Sequence, residues 1–277
     1  MHHCLTKSSI SYKTLAVLLL IAFALPFLSA CKQEQAAPPP PVKSDKRPVM
    51  RIAFVGDEFI KTSNLTHMVQ LLAQNDPSSH FQVKTAAHTM VDASLAQLWK
   101  NENKRNVFTS ESWDYVVLQP HSLWAATEGH VYLSQQSISA WSRYVNSIQA
   151  QPVLFMTWPL DKNNTTYGDI KYASTLKNYK NMHRLIHGYS KAITKKNGMM
   201  LTPVGDYWMH AMAIAPGIKL YSDNGYSPTI EGTYLTALII YKTLVNGSLT
   251  NIVYMPQGIT QDTKDLLIAI ASTKIDK

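Results

Sequence analysis

The sequence has little cysteine: Cys4 and Cys31 are the only two in 277 residues. Everything beyond residue 31 therefore folds without a disulfide, and it offers no thiolate for a metal and no thiol nucleophile. Histidine also stops early, at His210, so the C-terminal segment has no imidazole to act as a base near neutral pH. Acidic residues are few, 18 against 26 Lys and Arg, which gives a net charge of +8. The excess is scattered. Its densest groups, Lys100–Arg105 and Lys191–Lys196, are not long stripes interleaved with aromatics, so no nucleic-acid partner is expected. A modest basic balance makes a solvated surface, and it also suits anionic surfaces or acidic glycans. Long apolar runs are scarce too. The one candidate, Leu15–Leu28, is broken by Pro26 and is shorter than the roughly 20 residues a spanning helix needs.

What is present at the N-terminus is ordered. Lys7 and Lys13 precede the apolar run without any acidic residue, and the run ends in Leu28-Ser29-Ala30-Cys31. A basic segment, an apolar segment and small residues before a cut site make a secretory leader. Leu-Ser-Ala-Cys resembles the lipobox of bacterial lipoproteins. That resemblance implies cleavage after Ala30, acylation of Cys31 by chains such as palmitate, and a cell-envelope protein held to a membrane through that residue. Cys31 is followed by Lys32 rather than Asp. In a two-membraned organism the resemblance then implies the outer membrane, facing the periplasm. Residues 31–48 carry Pro38–Pro41 and no apolar period, as expected of a tether partly stiffened as polyproline II. The expected organisation is a leader at 1–30, a lipidated tether at 31–48 and one domain at 49–277.

The domain alternates two textures. Short apolar runs at 50–55, 115–119 and 152–156, a weaker one at 199–203 and an alternating one at 81–85 read as strands. Continuous apolar strands suit a parallel sheet buried on both faces. Between them lie helical patterns at 65–74, 131–149, 176–196, 230–245 and 259–272. Strands alternating with helices predict a three-layer α/β/α sandwich with a mostly parallel, flavodoxin-like sheet. In such folds the site lies at the carboxyl ends of the strands.

Five segments carry a family resemblance. Arg51-Ile-Ala-Phe-Val-Gly-Asp-Glu-Phe59 resembles the first block of SGNH (GDSL-type) hydrolases, a strand running into Gly-Asp-Ser. Trp113-Asp-Tyr-Val-Val-Leu-Gln-Pro-His-Ser122 resembles the third-strand segment of one branch of those proteins. Pro152–Trp158 resembles its next strand. Leu201–Trp208 and Leu220–Leu235 resemble its C-terminal blocks. The resemblance implies descent from esterases in which a serine follows the Gly-Asp pair, and a backbone amide, a glycine and an asparagine stabilise the oxyanion. A late Asp-x-x-His-Pro supplies the base and its orienting acid.

Each of those catalytic positions is substituted here. Glu58 stands where the serine would be and has no hydroxyl to activate. Anchored on Pro228, Asn224 takes the Asp place and Ser227 the His place; shifting by one residue restores Asp223 but puts Tyr226 where the histidine belongs. Ala86-Ala87-His88 stands near the expected place of the second-block glycine. A serine cannot take a proton as imidazole does, and losing triad members costs many orders of magnitude. The cleft candidates are therefore Asp57, Glu58, Gln119, Ser122, Asn224 and Ser227.

Other chemistries compete at these positions. Asp57, Glu58 and Asp223 could form an acid–base pair or hold a hard cation; alternatively Asp57 caps the first helix and Glu58 faces solvent. His88 or His210 could serve as a relocated base, and Trp124, Trp158 and Tyr226 could stack on sugar rings or simply fill the core. His183 and His187 are spaced to share a helix face and could bind zinc with a third ligand, but no Glu adjoins His183 as the zinc-protease motif requires. No metal and no cofactor are expected. The expected function is an envelope lipoprotein that binds a glycan or a protein partner without hydrolysing it. The alternative is an esterase acting on acylated carbohydrate or lipid with a non-standard residue set.

Overall fold

The computed structural model describes residues 45–275 except 63, 91, 92, 107 and 109. The leader, Cys31 and most of the tether lie outside the described residues. The chain from residue 45 is one compact unit. Arg47, expected in the tether, packs with it: its Nη1 donates to the carbonyls of Ala73 and Ser79, both at 3.2 Å.

Elements follow in the order β1 (Val49–Gly56), α1 (Glu58–Thr62), α2 (Leu65–Gln74), β2 (Gln82–Thr89), α3 (Leu95–Lys100), α4 (Glu102–Asn106), β3 (Tyr115–Leu118) and α5 (Ser122–Ala126). Then come α6 (Glu128–Ser147), β4 (Gln151–Phe155), α7 (Ala173–Leu176), α8 (Tyr179–Asn197), β5 (Met200–Thr202), α9 (Val204–Ile214), α10 (Ile230–Ile240) and α11 (Gln261–Ser272). A π turn, Tyr241–Val245, extends α10. The five strands pair in parallel in the order β2-β1-β3-β4-β5.

Successive strand residues point to opposite faces, and the chain fills both. Ile52, Phe54, Val117, Val153 and Phe155 meet α2, α9, α10 and α11 on one side. Ala53, Val55, Val116, Leu118 and Leu154 meet α3, α5, α6 and α8 on the other. This is the three-layer α/β/α sandwich expected from the sequence. The helices start and stop where the sequence provides caps. Ser94 and Gln97 form a capping box on α3, while Asn178, Thr229 and Thr260 cap α8, α10 and α11. Gly198 ends α8 in the left-handed region at φ 62°, where a side chain would be strained. No helix among the described residues is long and apolar enough to cross a membrane.

Candidate functional site

The site builds up where β1, β3 and β4 end. Gly56 closes β1, and a Cβ there would collide with the Gln119 side chain and with Ile60. That close approach brings the turn after β1 against the residue after β3. Asp57 N donates to Gln119 Oε1 at 3.2 Å, and both residues are buried. Asp57 Oδ1 accepts from Phe59 N at 3.0 Å, so the carboxylate caps the turn into α1. The capping alternative is therefore realised. Glu58 is the first residue of α1. Gln119 Nε2 and Thr157 Oγ1, at the ends of β3 and β4, are buried polar atoms with no hydrogen-bond partner among the described residues.

Ser122 heads α5 and is buried. The preceding residue, His121, accepts from Leu123 N through Nδ1 at 3.2 Å and so caps the helix. Among the described residues, no hydrogen bond joins Ser122 to Gln119.

The C-terminal block forms a tight loop closed by a bridge between Tyr221 and Pro228. Asn224 saturates it. Its Oδ1 accepts from Tyr226 N at 3.0 Å, Ser227 N at 2.8 Å and Ser222 Oγ at 2.9 Å. Its Nδ2 donates to Ser227 Oγ at 2.8 Å. Asn224 and Ser227 are thus bonded to each other and to their own loop. Asp223 is exposed on that turn.

The loop is fastened to the segment after β4. Trp158 Nε1 donates to the Tyr226 carbonyl at 2.9 Å, Asp161 N to the Gly225 carbonyl at 2.8 Å, and Tyr221 OH to the Pro159 carbonyl at 2.8 Å. The Phe59 ring lies 5.6 Å from that of Tyr226 and 5.8 Å from that of Trp158. The residue after Glu58 therefore touches the residue before Ser227. Two bonded pairs, Asp57–Gln119 and Asn224–Ser227, stand on either side of this aromatic contact.

The aromatic candidates divide. Trp158 is core: it is buried and stacks on Trp208 at 4.0 Å and 5°. Tyr226 is exposed, and Trp124 is half-buried with its ring 4.6 Å from His130. Trp124 lines a cleft of about 580 Å³ with Trp99, Ser94, Gln97, Gln136 and Ser137. Trp99 went unnoticed in the sequence because it falls in the short helix α3, which has too few turns to show a period. Of the candidate bases, His88 is packed among aromatic rings, 4.4 Å from Phe108 and 6.2 Å from Trp113. His210 is half-buried in α9.

No protein-family model matches the chain, and no curated protein matches it in sequence. Solved structures do. A protein assigned as an SGNH hydrolase from Slackia heliotrinireducens superposes with a TM-score of 0.59 at 22% identity, covering 71% of this chain and 99% of its own. A DUF4886 family protein from Bacteroides uniformis gives a TM-score of 0.63 at 17% identity, covering 80% of this chain and 93% of its own. A lipase/acylhydrolase from Enterococcus faecalis gives a TM-score of 0.50 at 14% identity, covering 71% and 96%. With its all-parallel sheet and helices on both faces, the chain from residue 45 has the SGNH-hydrolase-like fold.

Proposed function

We propose that the chain is a lipid-anchored envelope protein whose SGNH-hydrolase-like domain binds a glycan and does not hydrolyse esters. The observation that carries this reading is the closed network around Asn224. A general base needs a lone pair directed at the nucleophile and a partner that stabilises the cation it becomes. Ser227 Oγ is instead held by Asn224 Nδ2 at 2.8 Å. An amide cannot stabilise a cation as a carboxylate does, and a hydroxyl is not basic near neutral pH. Across the aromatic contact, Asp57 is engaged in capping α1.

The cleft between Trp99 and Trp124 supports a glycan as ligand. Indole faces pack on the apolar faces of sugar rings, and Gln97, Gln136, Ser94 and Ser137 offer hydroxyl-bonding groups beside them. The lipobox-like Leu28–Cys31 supports the anchor and the envelope location.

Two measurements test this. With p-nitrophenyl acetate, the full-length protein and its Glu58→Ser and Glu58→Ala variants are expected to show no rate above buffer. Turnover in the wild type that disappears in Glu58→Ala would overturn the non-hydrolytic reading and make Glu58 catalytic. In bacteria fed a clickable palmitate analogue, the wild type is expected to label and Cys31→Ser to lose the label. Equal labelling of the two would remove the anchor.

A further inference from the structure

Beside the end of β5, α8 and the first turn of α9 bring three ligating side chains together. His183 and His187 lie one turn apart on α8 and share a face. Asp206 is the third residue of α9, which follows edge strand β5. Its Oδ1 is 3.0 Å from His183 Nε2 and 2.9 Å from His187 Nδ1, and the three groups' ligand atoms lie within 4.8 Å of one another. His67 is exposed on α2 and is not part of this cluster. The sequence supplied the histidine pair; the fold supplies the third ligand that the sequence did not reveal.

The geometry points to a three-ligand zinc site formed by His183 Nε2, His187 Nδ1 and a carboxylate oxygen of Asp206, with its remaining position open to solvent. Two imidazoles and one carboxylate are a donor set that suits Zn²⁺. With metal–ligand bonds of about 2.0–2.1 Å, the ligand atoms of a tetrahedral ion lie about 3.3 Å apart. The observed 3.0 and 2.9 Å separations need to widen by only a few tenths of an ångström. His183 Nδ1 is buried and has no hydrogen-bond partner, so Nε2 is the atom through which this ring engages.

The site is open on one side. A cleft of about 550 Å³ adjoins it, lined by His187, Asp206, Lys191, Tyr207, Lys242 and Thr243. The side chains are 17%, 33% and 14% exposed at His183, His187 and Asp206, so an ion can enter without unfolding either helix. Lys242 is already engaged, donating to the Ala271 carbonyl at 2.8 Å and to Tyr207 OH at 3.2 Å. Lys191 and Lys242 also line this cleft.

The test uses the full-length chain, stripped with a chelator and titrated with Zn²⁺ against a chromophoric competitor, then with Co²⁺ as a spectroscopic substitute. One equivalent is expected to bind. The Co²⁺ adduct should show a four-coordinate visible spectrum without a thiolate charge-transfer band. His187→Asn and Asp206→Asn should each weaken Zn²⁺ binding at least tenfold, and the wild type alone should gain thermal stability with Zn²⁺. Failure to bind one equivalent at micromolar metal would overturn the site. So would equal affinity in His187→Asn, or a thiolate band, because His2, His3 and Cys4 form a rival set in the same chain. The Co²⁺ spectrum is read on the wild type, so the test holds even if a variant folds poorly. It is also independent of the hydrolysis assay.

Discussion

Replacing Trp208 with alanine is expected to cost about 3–5 kcal/mol, the range for deleting a large aromatic from a packed core. Trp208 has no exposed surface. Its ring stacks on Trp158 at 4.0 Å, meets Tyr221 edge-on at 4.9 Å and donates through Nε1 to Thr236 Oγ1 at 3.2 Å. These contacts tie α9 to the segment after β4, to the start of the C-terminal loop and to α10. A cavity here cannot collapse without moving all of them, so the cost belongs near the upper end of the range. Urea denaturation of the variant reads it directly; a loss below about 1 kcal/mol would show that the aromatic stack is not what holds these segments.

The second large effect lies at a buried carboxylate bonded to Tyr241 of the same core. Asp76 is 1% exposed. It accepts from Tyr241 OH at 2.6 Å, and from Ser78 Oγ at 2.6 Å and Ser78 N at 2.8 Å. Burial pushes its pKa up, but the Ser78 and Tyr241 hydrogen bonds outweigh this and hold it below the ordinary value. Tyr241→Phe removes one donor and leaves a buried anion short of a partner, at an expected cost of about 1.5–3 kcal/mol at pH 7. The pH dependence follows from the sign of the shift. A carboxylate whose folded pKa is depressed contributes fully above its unfolded pKa of about 3.9, and the contribution is lost as pH falls through the lower folded value. The wild type should therefore lose stability below about pH 4, and Asp76→Asn should start lower at pH 7 and fall less steeply over that acid range. Urea midpoints at pH 7 and across the acid limb check both statements. Parallel acid limbs in wild type and Asp76→Asn would refute the role of this carboxylate.

How much of this was legible in the sequence follows from what each segment buries. β1, β3 and β4 are covered on both faces, so nearly every residue is apolar and the strands announce themselves. β2 is legible only at its start. Ala86-Ala87-His88-Thr89 has little apolar bulk, and its strand character comes from pairing with Ala53–Gly56. The long helices α2, α8, α10 and α11 each appear within a few residues of their observed ends. α9 does not. Its buried residues Val204, Tyr207, Trp208 and Ala211 keep a helical spacing, but Met209, Met212, Ala213 and Ile214 on the other faces are apolar too and blur the stripe. That omission hid Asp206 from His183 and His187.

The candidate site was legible in part. Asn224 and Ser227 were legible as candidates by anchoring on Pro228, with a one-residue shift left open, but their hydrogen bonds to each other depend on the loop's turn, which residue types alone do not specify. The Asp57 cap was one of two readings, and the hydrogen bond from Phe59 N to its carboxylate, which depends on the turn after β1, is what shows it. Trp124 and Trp158 are equivalent in sequence; only the fold separates a cleft wall from a core residue.

The partnership of α2 with α10 has a consequence for how the chain is made. Asp76 and Tyr241 are 165 residues apart, and Leu72 and Ile239 belong to one apolar cluster. During synthesis, the apolar face of β1 and α2 stays uncovered until residues 230–245 have emerged. Closing the core then means joining very distant parts of the chain, which makes folding slow and late. A chain truncated before Ile230 would carry that open face permanently, and aggregation or proteolysis is its fate.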